Sequence, residues 1–84
     1  MQRCPMQDAE PVPVKALFQE AGRVVPVQVR RGAEWRRVRL VYGWTKREGL
    51  DLVRFFNVTD GANLYTLSFN DRRCAWLLHA ICPM

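Results

Sequence analysis

The chain predicts an all-β fold: a small antiparallel sheet of five or six strands, a meander curled into an SH3-like, partly open barrel. Three observations predict it. Short segments rich in Val, Leu, Phe, Trp and Tyr recur between turn signals at Ala21-Gly22-Arg23, Arg31-Gly32-Ala33, Thr45-Lys46-Arg47-Glu48-Gly49, Asp60-Gly61 and Asn70-Asp71. Within several segments apolar and polar residues alternate with a period of two, the period of a half-buried strand. At 84 residues, 49% of them hydrophobic and 25% charged, the chain suits one folded domain with one core and is too apolar for wholesale disorder.

Taken in order, residues 1–13 mix Pro5, Pro11 and Pro13 with polar residues and show no periodicity, which predicts a flexible tail before a domain spanning 14–82. In residues 24–31 alternation turns Val25, Val27 and Val29 toward the core and Pro26, Gln28 and Arg30 away from it. Pro26 lacks a ladder donor and belongs at an edge, a bulge or a strand's outer side. In residues 34–45 Val38, Leu40, Tyr42 and Trp44 form the expected core face, with Trp35, Arg37, Arg39 and Val41 opposite. Residues 52–58 are apolar in both phases, and Glu48 to Phe56 suits a strand or a short helix with an acidic first turn. Asp60-Gly61 predicts a two-residue hairpin turn of type I′, which needs positive φ at both central residues. Beyond it Tyr65, Leu67 and Phe69 alternate with Leu64, Thr66 and Ser68. Residues 74–81 fit either a helix or a strand, and the unbroken turn spacing before them favours a strand closing the sheet.

Thirteen Lys and Arg against eight Asp and Glu give a net charge of +5. Nine of those cations and three of the anions lie between Arg23 and Arg54, so this stretch carries +6 and the remainder is slightly acidic. Eleven of the cations are arginine, whose planar fork suits phosphate and stacking contacts. A solvated basic face that only keeps a β domain soluble is the plainer alternative. Cys4, Cys74 and Cys82 are an odd count without a C-x-x-C pair, and on one strand Cys74 and Cys82 would stand roughly 26 Å apart, so the sequence predicts no disulfide. One histidine, His79, does not complete a metal site, and neither a metal nor another cofactor is expected. Charges interrupt every apolar run, which argues against a membrane span, and the N-terminal residues lack the apolar core of a secretion signal, which predicts a cytoplasmic protein.

The run Gly22-Arg23-Val24-Val25-Pro26-Val27-Gln28-Val29-Arg30-Arg31-Gly32, followed by Glu34-Trp35-Arg36-Arg37-Val38 and Trp44, then Arg54-Phe55-Phe56-Asn57-Val58, Asp60-Gly61, Tyr65-Thr66-Leu67 and Trp76-Leu77-Leu78, resembles a family of small bacterial β domains of unknown function. In that family a G-R-P-like turn leads to a basic W-R-G-like strand, and a W-x-L strand closes the unit. The resemblance covers roughly residues 14–82 and rests on turn and core residues. Members are associated with Y-family DNA polymerases, so the resemblance implies an accessory role that contacts nucleic acid or the DNA polymerase itself. This chain departs from the pattern at Val29-Arg30-Arg31-Gly32, where an aromatic commonly precedes the Arg-Gly step.

Chemistry is poorly supplied. No phosphate-binding glycine loop or H-E-x-x-H motif occurs, His79 has no recognisable nucleophile motif near it, and the acids cluster around turns, so the sequence predicts no enzyme. The sharpest constellation is Trp35, Arg37 and Arg39 on one strand face, with Arg30, Arg31, Lys46 and Arg47 at the ends of adjoining strands. Cations neutralise phosphates and an exposed indole stacks on an unpaired base, which predicts a non-catalytic module binding single-stranded DNA or RNA weakly and non-specifically. Alternatively Trp35 packs over a barrel end, and the arginines guard an outer face against edge-to-edge pairing. The rival function is a protein-interaction module that docks a partner on a sheet edge or on an apolar patch of Val41, Phe55 or Phe56, and Leu64.

Overall fold

The computed structural model describes residues 9–84. Its strands are β1 Glu10–Pro11, β2 Val14–Phe18, β3 Val24–Arg31, β4 Glu34–Arg37, β5 Arg39–Glu48, β6 Asp51–Thr59, β7 Asn63–Asn70 and β8 Ala75–Pro83. A 3-10 turn at Glu20–Gly22 is the one helical element among the described residues. β5 to β8 form a meander, and β1 adds to β8 to make a five-stranded antiparallel sheet in the order β1-β8-β7-β6-β5. β2, β3 and β4 form a second antiparallel sheet. The all-β antiparallel class is the one the sequence predicts, with eight strands in two sheets that do not close into a barrel. The extra sheet arises at Val38, where one apparent strand divides. Val38 N donates to Val27 O at 3.0 Å, and from Arg39 onward the chain pairs with β6. Both segments left open between helix and strand, 48–56 and 74–81, are strands apart from their turns.

The two sheets enclose Val24, Val29, Phe56, Val58, Tyr65, Leu67, Phe69 and Leu78, of which Val29, Val58 and Leu67 are wholly inaccessible to solvent. Three register shifts decide which residues reach this core. On β3 Lys15 pairs with Gln28 and Ala16 with Pro26, leaving Val27 as an extra residue. The bulge reverses the phase, so Val24 and Pro26 join Val29 inside, while Val25 and Val27, expected in the core, are only half-buried. Pro26 lies beyond the last β3–β4 pair, Gln28 with Arg37, where no ladder donor is needed. On β5 Leu40 pairs with Val58 but Tyr42 with Asn57, which makes Val41 the extra residue. Val38 and Leu40 pack on the core as expected; Tyr42 and Trp44 are turned out of it. On β8 the extra residue is His79.

Other expectations are corrected at the ends and turns. The tail assigned to 1–13 lies partly outside the described residues, but Glu10 and Pro11 pair with Leu78 and Leu77, and Val12 is buried and donates to Trp76 O at 3.2 Å. The ordered domain therefore starts before Val14. Thr45 to Glu48, read as loop, complete β5, and the reversal falls at Gly49-Leu50 with Gly49 at φ 62°. Asp60-Gly61 does sit in the β6–β7 hairpin, but positive φ occurs at Gly61 alone. Asp60 acts through its side chain instead, accepting from the Ala62 and Asn63 amides at 2.9 and 2.8 Å and from the Tyr65 hydroxyl at 2.6 Å. Cys82 is disulfide-bonded, contrary to the sequence expectation. The spacing argument ruled out only a Cys74–Cys82 bridge, and Cys74 is indeed an exposed free thiol.

Candidate nucleic-acid interface

Pairing in the smaller sheet sorts the predicted cations. Arg30 stands opposite Trp35, Gln28 opposite Arg37 and Lys15 opposite Gln28, so Lys15, Arg30, Trp35 and Arg37 share its outer face. Arg31 has the other parity, paired with Glu34 on the side where Val29 pairs with Arg36, and is half-buried beside Tyr65 and Ile81. Trp35 is 38% exposed, with Lys15 Nζ 4.5 Å from the centroid of its ring. One face of the indole is thus occupied by a cation.

The outer face continues across Val38 into β5. Arg37 and Arg39 border the same shallow depression, together with Thr59, Asp60 and Gly61. Arg39 pairs with Thr59, and after the bulge Tyr42, Trp44 and Lys46 pair with Asn57, Phe55 and Val53 on the outer side of the larger sheet. Read along β4 and β5, the exterior is Trp35, Arg37, Arg39, Tyr42, Trp44 and Lys46. Arg47 points the opposite way, paired with Leu52. The pairing therefore places Arg30, Trp35 and Arg37 on the outer face of the smaller sheet and Arg39 and Lys46 on that of the larger one, the two meeting where Arg37 and Arg39 flank Val38, and leaves Arg31 and Arg47 off both.

Tyr42 and Trp44 are the residues the sequence reading placed elsewhere. Their rings stack at 5.7 Å and 30°, Trp44 stacks on Phe55 at 5.3 Å and 9°, and Phe55 meets His79 at 5.3 Å. Glycine in the middle of a strand is the sequence signal that could have exposed the bulge, and Gly43 lies two residues from it. His79 Nε2 lies 2.7 Å from Ser68 Oγ, a partner on the neighbouring strand that the sequence did not suggest. Ser68 is 3% exposed, so the contact ties β7 to the bulge of β8 away from solvent. Burial pushes His79 below its ordinary 6.5, which keeps the ring neutral within the stack.

Ion pairing divides the arginines sharply. Arg54 grips Asp71 with two hydrogen bonds of 3.1 and 3.0 Å, Arg72 and Arg73 reach Asp51 at 3.2 and 4.0 Å, and Arg36 reaches Glu34 at 3.4 Å and Asp60 at 3.9 Å. Hydrogen bonds from Asn70 and Arg72 hold the Asp51 carboxyl below its usual 3.8. By contrast Arg30, Arg31, Arg37, Arg39, Lys46 and Arg47 have no carboxylate within 4.0 Å among the described residues.

Of the apolar patch considered for protein docking, Phe56 is in the core, Phe55 is covered by Trp44 and His79, Val41 is 55% exposed at the bulge and Leu64 is half-buried. Among the described residues no three His, Cys, Asp or Glu side chains are placed to hold a metal, and no helix is long and apolar enough to cross a membrane. Comparisons with family models, curated proteins and solved structures return no match for this chain.

Proposed function

We propose that this domain is a non-catalytic accessory module that binds single-stranded DNA or RNA weakly and without sequence preference along the exterior of β3, β4 and β5. One observation carries the reading: among the described residues the cations of this exterior have no carboxylate within 4.0 Å, whereas Arg36, Arg54, Arg72 and Arg73 are paired. Unpaired arginines on extended strands can meet successive phosphates and release their counterions. A cytoplasmic place beside a DNA polymerase goes with this role; the polymerase is what the family resemblance of the sequence implies.

The test is a fluorescence titration of a labelled oligonucleotide at low and rising salt. Binding that weakens steeply with salt supports the proposal. Absence of binding at about 50 mM salt and ~100 μM protein refutes it, because non-specific binders reach about 10⁻⁴ to 10⁻⁶ M even at physiological salt. The competing reading is a protein that docks on the free edge of β5, the last strand of the larger sheet. Binding of that kind would change little with salt.

A further inference from the structure

We infer that Tyr42 is the residue on which a base of the bound strand stacks, with Arg39 and Lys46 holding the phosphates on either side. The inference rests on the nucleic-acid reading above and adds the location of the stacking contact.

Four rings form a row across the outer face of the larger sheet: Tyr42, Trp44, Phe55 and His79. A ring inside such a row has two aromatic neighbours. Trp44 lies between Tyr42 and Phe55, and Phe55 between Trp44 and His79. Tyr42 ends the row, gives one face to Trp44 and keeps the other; it is 62% exposed. An aromatic left this open beside a complete core is a platform for another π-face, and every base has one.

Charge selects the occupant. The bulge at Val41 places Tyr42 on the same side of the sheet as Arg39, and Lys46 follows on that side beyond Trp44. Strand rise sets the two cations about 20 Å apart, a span for a few nucleotides of extended single strand. Among the described residues neither cation has a carboxylate within 4.0 Å. Of the acids nearby, Asp51 is engaged by Arg72 and Arg73, Asp60 beside Arg39 by Tyr65 and the Ala62 and Asn63 amides, and Glu48 follows Lys46 on this face. Each ring has one side covered, Tyr42 by Trp44 and Trp35 by Lys15, and Trp35 is the weaker platform because it is 38% exposed where Tyr42 is 62%.

The experiment titrates a fluorescein-labelled oligodeoxythymidylate with the full chain and with Tyr42→Ala, Tyr42→Phe and Trp35→Ala. Tyr42→Ala is expected to lose roughly five- to a hundredfold in affinity with its salt dependence unchanged, Tyr42→Phe to bind like the parent, and Trp35→Ala to stay within about threefold. A second measurement needs no substitution: irradiating the unmodified protein with an iododeoxyuridine-containing strand and mapping the crosslink by mass spectrometry, expected at Tyr42. If the parent protein binds with a steep salt dependence but Tyr42→Ala binds equally well, or the crosslink falls on Trp35, the inference is overturned and the nucleic-acid reading stands. If Tyr42→Phe loses as much as Tyr42→Ala, the hydroxyl and not the ring makes the contact, and stacking is overturned. If the parent protein does not bind at all, both fail together.

Discussion

Removing the charges of Arg37 and Arg39 should change how binding responds to salt, by an amount the structure sets. Four cations that follow one another along the outer sides of β3, β4 and β5, Arg30, Arg37, Arg39 and Lys46, have no carboxylate within 4.0 Å among the described residues, and Lys15 is held over Trp35. If each meets one phosphate, a plot of log K against log salt for a single strand falls with a slope near about −2.8, taking ~0.7 per phosphate. Raising salt from about 50 to 200 mM then weakens binding roughly 50-fold. Arg37→Gln with Arg39→Gln removes two contacts, halves the slope to about −1.4 and reduces the same loss to roughly sevenfold.

The assay is fluorescence anisotropy of a labelled oligonucleotide at several salt concentrations, with Arg72→Gln as control. Arg72 is as exposed as an arginine on the strip but is already paired with Asp51, so its neutralisation should leave the slope in place. A double variant with the parental slope, or a control that flattens as much as the double variant, would refute the reasoning. In either case the charge that matters would be the overall +5 and not the pairing pattern on this exterior.

Two further outcomes concern the scaffold. The hydrogen bond from Tyr65, together with the Asn63 and Ala62 amides, holds the Asp60 carboxyl below its ordinary 3.8 against the opposing effect of burial. A depressed folded value means that the stabilisation is complete above the unfolded value and is lost as pH falls through the folded one. Asp60→Asn should therefore cost about 1–2 kcal/mol in urea melts at neutral pH, and the gap from the parent should close below pH 3.8; a gap that is constant down to the acid end would count against the assignment. Leu67→Ala, at a position with no solvent exposure, should cost about 2–5 kcal/mol in the same melts, whereas Leu50→Ala, at 89% exposure on a turn, should stay within about 0.5 kcal/mol. Equal effects would contradict the assignment of core and surface.

The parts of the fold that depend on local pattern were legible. Period-two alternation put Trp35, Arg37 and Arg39 on one face, and turn residues located the hairpins at Gly32 and Gly61, because both are decided by neighbours in the chain. What failed depends on register. A bulge is a relation between two strands, so the extra residues Val27, Val41 and His79 leave no period of their own in a single sequence, yet each reverses the faces beyond it. Tyr42 and Trp44 were assigned inward for that reason alone. The pairing of Arg54 with Asp71 and of Arg72 with Asp51 likewise joins residues brought close only by β6–β7 pairing and the turn that follows. Glu10 and Pro11 carry no strand signal of their own and order by adding to an edge that β8 supplies.

The bulge at Val41 also explains why the basic and aromatic features belong to one surface. With uninterrupted alternation the side chains of Tyr42 and Trp44 would share the inward phase of Leu40, and the exterior of β5 would present Arg39, Val41 and Gly43. That surface would be basic but without a ring to stack on. One extra residue exchanges the two sets: Gly43 takes the inward position opposite Phe56, where a side chain larger than hydrogen would meet Phe55 O at 3.6 Å and the Phe56 ring at 3.9 Å, and the two aromatics move outside. The core loses nothing by the exchange, since Phe56, Val58 and Leu67 already fill it from the neighbouring strands. The rings thus stand outside the core, on the strand exterior that also carries Arg39 and Lys46, neither of which has a carboxylate within 4.0 Å among the described residues. On the proposed reading, a planar, negatively charged partner that fits between the flanking cations would cover the open side of Tyr42.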